Sequence, residues 1–139
     1  MTEFVSDIKK IPYSDDLVFR ILSDLSKLEL IKDKFPNDKV TDFWCDENSC
    51  SFSVDPVGHV TFFVTDREPS KTIKLESRGL PFVVSAWIQL VSKSEDDTRM
   101  KLTLRAKLNP FIKPMVSSPM REGIDKISDI IASLPFDEL

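Results

Sequence analysis

The C-terminal part of the chain constrains the fold most, because it carries a long helical pattern. Apolar side chains recur there at spacings of four, three, four and three residues, at Met120, Ile124, Ile127, Ile131 and Leu134. These spacings put all five side chains on one face of a helix. Ser118 suits the N-cap and Pro119 the first helical position. We therefore predict a helix over residues 119–134, roughly 24 Å long at about 1.5 Å per residue, which needs an apolar surface to cover.

Most of the remaining chain alternates apolar and polar residues with a period of two. The clearest case is the segment 98–108, in which Met100, Leu102, Leu104, Ala106 and Leu108 share one side. This pattern is typical of a strand with one buried and one solvated face. Further strands are predicted at residues 2–11, 40–46, 49–54, 59–68, 71–77 and 82–92. Their short connections favour an antiparallel meander.

A short helical region interrupts the strands after the first one. Ser14 is a good N-cap, and an apolar stripe follows at Leu17, Ile21, Leu25 and Leu28. A second short helical piece is predicted over residues 27–35, followed by a loop at 36–38. Pro and Gly also predict a turn at 55–58. The predicted class is therefore α+β, with one or two short helices between the first strand and the rest of the sheet.

Length and charge limit the possible functions. The 139 residues fit one domain over 1–139, which needs no metal or disulfide to fold. A net charge of −4 argues against binding to nucleic acid or to anionic membrane surfaces. No apolar run is long enough for a membrane span, so no integral membrane contact is expected. The N-terminus lacks a signal-peptide pattern, and we expect a cytoplasmic monomer or homodimer without a cofactor.

The order of elements resembles the START-like, or SRPBCC, superfamily, which includes polyketide cyclases, lipid-transfer domains and the birch-pollen allergen fold. Three stretches carry the resemblance to its short bacterial members: residues 14–19, the strand pair 86–90 and 98–104, and residues 108–115. The resemblance implies a helix-grip fold. In it, a curved antiparallel sheet of about six to seven strands wraps around the long C-terminal helix, with a hydrophobic cavity between them. It brings no shared catalytic motif.

Three functional hypotheses follow. The first is binding of a small hydrophobic or amphipathic ligand, such as a lipid, quinone or polyketide, between sheet and helix. Its lining is predicted to be Phe43, Phe52, Phe62, Leu75, Ile88, Leu102, Met120, Ile124 and Ile127. The second is a cyclase- or hydrolase-like enzyme in the same cavity, with His59 or Gln89 pointing inward. The third is an interaction or co-chaperone-like module with a filled core and an apolar surface patch at Trp87.

Cys45 and Cys50 face each other if Glu47 and Asn48 form a two-residue hairpin turn. The same register places Phe43 opposite Phe52. Two interpretations stay open: a pair of reduced thiols in the core, or a redox-sensitive pair. Two cysteines and one distant histidine do not make a structural zinc site, so no metal is expected.

Two further positions allow alternative interpretations. Trp87 faces away from the apolar stripe of its strand, so that face is either partly covered or carries an exposed aromatic. Gly123 lies inside the predicted C-terminal helix, where glycine costs about 1 kcal/mol relative to alanine. It allows either a close contact between helix and sheet or room for a ligand against the backbone.

Overall fold

The computed structural model describes residues 1–34, 40–54 and 58–139. The predicted loop at 36–38 and residues 55–57 of the predicted turn lie outside these ranges. The strands are β1 Thr2–Val5, β2 Lys9–Ile11, β3 Val40–Cys45, β4 Ser49–Val54, β5 Gly58–Glu68, β6 Thr72–Arg78, β7 Val84–Ser94 and β8 Asp97–Ala106. The α-helices are α1 Asp15–Leu22 and α2 Lys113–Ala132, and 3₁₀ segments span Leu25–Lys34 and Phe136–Glu138.

All strands join one antiparallel sheet in the order β1-β8-β7-β6-β5-β4-β3, with β2 also paired to β8. The consecutive strands from β3 to β8 form the predicted meander. The long helix α2 packs on β8, β1 and β2, which lie at one end of this order. We call the side of the sheet that faces α2 the inner face, and the opposite side the outer face. The arrangement confirms the predicted helix-grip architecture.

The inner and outer faces follow from the alternation in the sequence. In β8, Met100 and Leu102 are buried on the inner face, whereas the alternating residues Arg99 and Lys101 keep partial contact with solvent. Neighbouring strands continue the same pattern, because Ile88 lies opposite Leu102 in the β7–β8 ladder. The predicted two-sided strand is therefore confirmed, although β8 ends at Ala106.

The sheet has eight strands instead of six or seven because the first predicted strand, residues 2–11, is divided into β1 and β2. Ser6 causes the interruption. Its amide donates to the Leu102 carbonyl at 2.9 Å, but its hydroxyl, in place of a main-chain carbonyl, accepts the Leu102 amide at 2.9 Å. The ladder breaks there, and Asp7 and Ile8 are exposed before Lys9 resumes pairing with Met100.

Helix α1 begins as predicted and ends early. The Leu17 amide donates to the Ser14 hydroxyl at 3.2 Å, which confirms the N-cap. The helix stops at Leu22, and the predicted second helical piece is the 3₁₀ segment Leu25–Lys34. Asp24 explains the break, because its carboxylate accepts the amide and the hydroxyl of Ser26 at 3.1 and 2.5 Å. Such local side-chain bonds compete with continued helical bonding.

The predicted start of the long helix is wrong. Helix α2 begins at Lys113, six residues before Pro119, and spans about 30 Å. Pro114 occupies its first turn, where a missing N–H costs nothing, so the preference for Pro near a helix start applies there. Asn109 organises this start: its side-chain oxygen accepts the amides of Phe111 and Ile112, both at 2.9 Å. Pro119 is tolerated inside the helix.

Two polar contacts fix the ends of the chain. The Lys9 ammonium lies 2.6 Å from the Asp129 carboxylate and ties β2 to α2. This hydrogen bond raises the pKa of Lys9 above its ordinary value. The Tyr13 hydroxyl donates to Asp137 at 2.9 Å, and its ring meets that of the buried Phe136 edge-on. The C-terminus is therefore packed against the start of α1.

Within the described ranges, no helix is both long enough and apolar enough to cross a membrane.

Candidate functional site

Three phenylalanines form a row on the inner face of β3, β4 and β5. The ring centroids of Phe43 and Phe52 are 6.0 Å apart, as are those of Phe52 and Phe62, and the planes differ by 27° and 17°. The predicted proximity of Phe43 and Phe52 is confirmed. A bulge between Thr41 and Trp44 shifts the register of β3 there, with Asp42 at φ 54°. The row forms a nearly continuous aromatic surface across three strands.

This row lies on the half of the sheet that α2 does not cover. Helix α2 packs on β1, β2 and β8, whereas the row belongs to β3–β5 at the other end of the strand order, where the 3₁₀ segment Leu25–Lys34 contacts β3 and β4. All three rings are half-buried, although phenylalanine is among the residue types most often fully buried. Part of the apolar surface of this row therefore remains accessible.

The other predicted lining residues divide into two groups. Leu75, Leu102 and Ile124 are buried, with 8%, 7% and 3% of their surface exposed, and belong to the closed part of the core. Ile88, Met120 and Ile127 pack against that core but stay half-buried. All nine predicted residues thus lie on the inner face of the sheet or on the matching stripe of α2, and six of them keep accessible surface.

Gly123 lies beside this stripe on α2. A Cβ atom added there would meet no heavy atom within 4 Å beyond its own helix. The interpretation of Gly123 as a point of close helix–sheet contact is therefore wrong, and its α2 neighbourhood is open.

Charged groups are scarce on the inner face. Among the strand residues that the structure describes, only Lys9 and Arg67 are charged and directed to this side, and both are engaged. Lys9 binds Asp129, as described above. The Arg67 guanidinium donates twice to the Ser23 carbonyl, at 3.0 and 3.1 Å, and also to Asn48 Oδ1 at 2.9 Å. It therefore fastens the β3–β4 turn to the end of α1.

The two polar candidates for catalysis lie on the wrong face. His59 pairs with Ser53 across β4 and β5 on the outer face, with Nδ1 3.0 Å from the Ser53 hydroxyl. Gln89 is also on the outer face, where its Oε1 accepts the Thr103 hydroxyl at 2.9 Å. The expectation that either residue points into the space beside α2 is wrong. For Gln89 the strand parity was readable from the sequence, since Ile88 and Leu90 on either side face inward.

Cys45 and Cys50 occupy the end of the β3–β4 hairpin on the inner face. They are opposed as predicted and are joined in a disulfide, with Cα atoms 4.1 Å apart. The interpretation as two reduced thiols is replaced by a bonded pair. Glu29 from the 3₁₀ segment accepts the Cys45 amide at 2.5 Å, and the Leu25 amide donates to the Glu47 carbonyl at 3.1 Å. Nothing in the local sequence around Glu29 indicated this role.

Trp87 is half-buried on the outer face between two cations. The Lys74 ammonium lies 5.5 Å and the Arg105 guanidinium 5.3 Å from its ring centroid. These cations cover a ring that we expected to be either packed by protein or exposed. The more exposed tryptophan is Trp44, at 55%. In the part of the chain covered by the structure, no group of three His, Cys, Asp or Glu residues is placed to hold a metal ion.

No protein-family profile and no curated protein matches the sequence. Solved structures do resemble this one. Norcoclaurine synthase from Thalictrum flavum, in complex with dopamine and hydroxybenzaldehyde, superposes with a TM-score of 0.70 at 14% identity, over 99% of this chain and 88% of that one. A protein from Thermus thermophilus gives 0.67 at 18% identity, over 94% of each chain. A START superfamily protein from Mycobacterium smegmatis gives 0.61 at 13% identity, over 93% and 96%.

These identities are low, so the similarity concerns the arrangement of the backbone and carries no residue roles. It extends over nearly the whole chain and agrees with the order of strands, the short helix after β2 and the long C-terminal helix. The chain therefore shares the helix-grip fold of these structures.

Proposed function

We propose that this protein binds a small hydrophobic or amphipathic molecule between the inner face of β3–β5 and helix α2. The observation that carries the proposal is the half-buried row of Phe43, Phe52 and Phe62 on the half of the sheet that α2 leaves uncovered. The open neighbourhood of Gly123 supports it. Proteins of this fold bind hydrophobic ligands or act as cyclases.

The composition of this surface favours an uncharged ligand portion with a flat ring or an acyl chain. Stacked or edge-on contacts with aromatic rings are available along the row. A ligand that buries about 300 Å² of apolar surface there gains on the order of 7 kcal/mol, before the costs of association are subtracted. With no association cost subtracted, this gain corresponds to a dissociation constant of about 10 μM, which is the tightest binding expected from this contact alone.

Binding is favoured over catalysis because both residues expected to act in catalysis, His59 and Gln89, lie on the outer face. General acid–base catalysis needs a titratable group within hydrogen-bond reach of the substrate. His59 lies on the outer face, and Lys9 and Arg67 are engaged elsewhere. The cyclase- or hydrolase-like alternative would therefore have to act mainly by positioning its substrate.

The test uses native mass spectrometry of the purified protein and titration with the neutral fluorophore Nile red. A co-purifying apolar molecule, or saturable Nile red binding displaced by fatty acids, quinones or aromatic polyketides, supports the proposal. Gly123→Leu fills the open neighbourhood and should weaken Nile red binding at least tenfold. Ser118→Leu, at an exposed position of α2, is the matched control and should bind normally. An apo mass with no Nile red binding would refute the proposal.

We further propose that the protein is a cytoplasmic monomer or homodimer. Disulfides are uncommon in the cytoplasm, so in that compartment the Cys45–Cys50 bond would mark a redox-sensitive pair. Thiol counting on protein purified under thiol-blocking conditions tests this, and size-exclusion chromatography with light scattering tests the oligomeric state. Ordinary structural disulfides, unreactive to mild reductant, would contradict it.

A further inference from the structure

Three large apolar side chains are exposed near the end of the sheet where β8 leads into α2, and we refer to them together as the cluster. Phe111 is 87% exposed, Met115 62% and Val83 60%. Phe111 lies in the turn before α2, and Met115 follows four residues later in the first turn of the helix. Val83 directly precedes β7, whose first residue pairs with the last residue of β8, so Val83 and Lys107 emerge at the same end of the sheet. Isolated exposed apolar residues are ordinary, but a cluster of large ones indicates a contact surface.

The cluster is held in a defined conformation. The Asn109 side chain accepts the amides of Phe111 and Ile112 at 2.9 Å each, and its carbonyl accepts the Lys113 amide at 3.0 Å. These bonds shape the turn before α2. Phe111 is therefore exposed on a hydrogen-bonded turn.

The segment that carries Phe111 and Met115 is basic, in contrast to the chain as a whole. Residues 98–121 contain six Lys or Arg and no Asp or Glu, although the net charge of the protein is −4. Two of these cations, Arg99 and Arg105, are paired with Asp97 and Glu3. Lys107 and Lys113 flank Phe111 in the sequence, and both are exposed.

We propose that this basic apolar patch, formed by Val83, Lys107, Phe111, Lys113 and Met115, docks on the surface of an anionic lipid bilayer. Apolar side chains enter the boundary between headgroups and acyl chains, while lysines remain at the level of the headgroups. Each lysine near an anionic surface strengthens binding about fivefold. The net charge of the chain argued against such binding. However, net charge also counts acidic groups far from the patch, and salt screens their effect on it.

A second copy of the chain fits the patch less well. A two-fold symmetric contact places the same surface on both partners, so Lys107 and Lys113 would face their own counterparts. Like charges in close contact oppose such an interface. An anionic bilayer supplies the opposite charge and an apolar layer together. The proposal is independent of the ligand-binding function above.

The test is co-sedimentation of the full chain with phosphatidylcholine vesicles, with and without phosphatidylglycerol, at low and high salt. We expect binding to the anionic vesicles that weakens at high salt. Phe111→Ser and Val83→Ser should each lower the partition coefficient, Phe111→Ser by about tenfold. Val91→Ser is the matched control for Val83→Ser, because Val91 is 58% exposed near the opposite end of β7. It should bind like the wild type.

The substituted side chains are exposed, so circular dichroism should show the folded spectrum for every variant. Failure of the wild type to bind phosphatidylglycerol vesicles overturns the proposal. Equal binding by Phe111→Ser and Val91→Ser also overturns it. A dimer that dissociates on Phe111→Ser, without vesicle binding by the wild type, would assign the patch to self-association instead. Nile red binding should be unchanged in these variants, which keeps this outcome separate from the ligand-binding test.

Discussion

Two single variants, Ile124→Ala and Ile127→Ala, test whether the core is filled or has space beside α2. The quantity compared is the loss in the free energy of unfolding. Both residues belong to the same stripe of α2, but Ile124 is only 3% exposed and Ile127 is half-buried. Ile→Ala removes three carbon groups, which corresponds to about 2.4 kcal/mol of transfer free energy when the side chain is fully buried. The cavity left behind adds to this, so Ile124→Ala should lower the free energy of unfolding by about 3 to 4 kcal/mol.

Ile127→Ala should lower the free energy of unfolding by roughly half as much, about 1 to 2 kcal/mol, because part of its surface remains accessible in the folded state. Urea unfolding followed by tryptophan fluorescence measures both values, with Trp44 and Trp87 on the sheet as reporters. Ile8→Ala, at a position 66% exposed, is the control and should change stability by less than about 0.5 kcal/mol.

The ratio of the two losses in unfolding free energy distinguishes a filled core from one with space beside α2. If Ile127→Ala costs as much as Ile124→Ala, the region beside Ile127 is tightly packed, and the interaction-module hypothesis with a filled core is favoured. A smaller loss at Ile127 that grows in the presence of Nile red would agree with a ligand resting against this side chain.

Three further predictions concern local features. Gly123→Ala should raise the free energy of unfolding by up to about 1 kcal/mol, whereas Gly79→Ala should lower it by more than about 1 kcal/mol. The two variants should change the urea midpoint in opposite directions. The reason is that Gly79 has φ +99°, and a Cβ added there would lie 3.2 Å from a main-chain oxygen of β5. Reducing the β3–β4 disulfide with dithiothreitol should cost about 2 kcal/mol in the same assay; an unchanged midpoint would contradict this. Hydrogen bonds from the Asn48 amide and then Ser49 hold the pKa of Asp46 below its ordinary value of 3.8. Its stabilisation is therefore complete above that value and lost as pH falls through the lower folded pKa, so acid titration of Asp46→Asn should show a smaller loss of stability at low pH than the wild type.

Features set by neighbouring residues were predictable from the sequence. The alternation in β8 follows from a period of two, and the cap at Ser14 from one hydroxyl and a nearby amide. The opposition of Cys45 and Cys50 follows from the length of their turn. Each depends on fewer than about ten consecutive residues, so local rules suffice.

The predicted boundaries of helices and strands were wrong where two local signals competed or where a distant residue supplied a hydrogen bond. Pro119 and Pro114 both suit the start of a helix, and the hydrogen bonds of Asn109 favour the earlier one. Ser6 interrupts an otherwise acceptable strand because its hydroxyl meets the Leu102 amide, 96 residues away in the sequence. A partner at that distance has no signature in the pattern around Ser6.

The sequence by itself determined the order of elements, the two faces of the sheet and the apolar stripe of α2, because periodicity assigns each side chain to a side. Only the tertiary structure decided where α2 lies across the sheet, and hence that the phenylalanine row on β3–β5 remains half-buried. The contact of Lys9 with Asp129, which ties β2 to α2, joins residues far apart in the chain. The space between helix and sheet depends on how such distant groups pack, and small shifts of a whole helix change it without altering any local pattern.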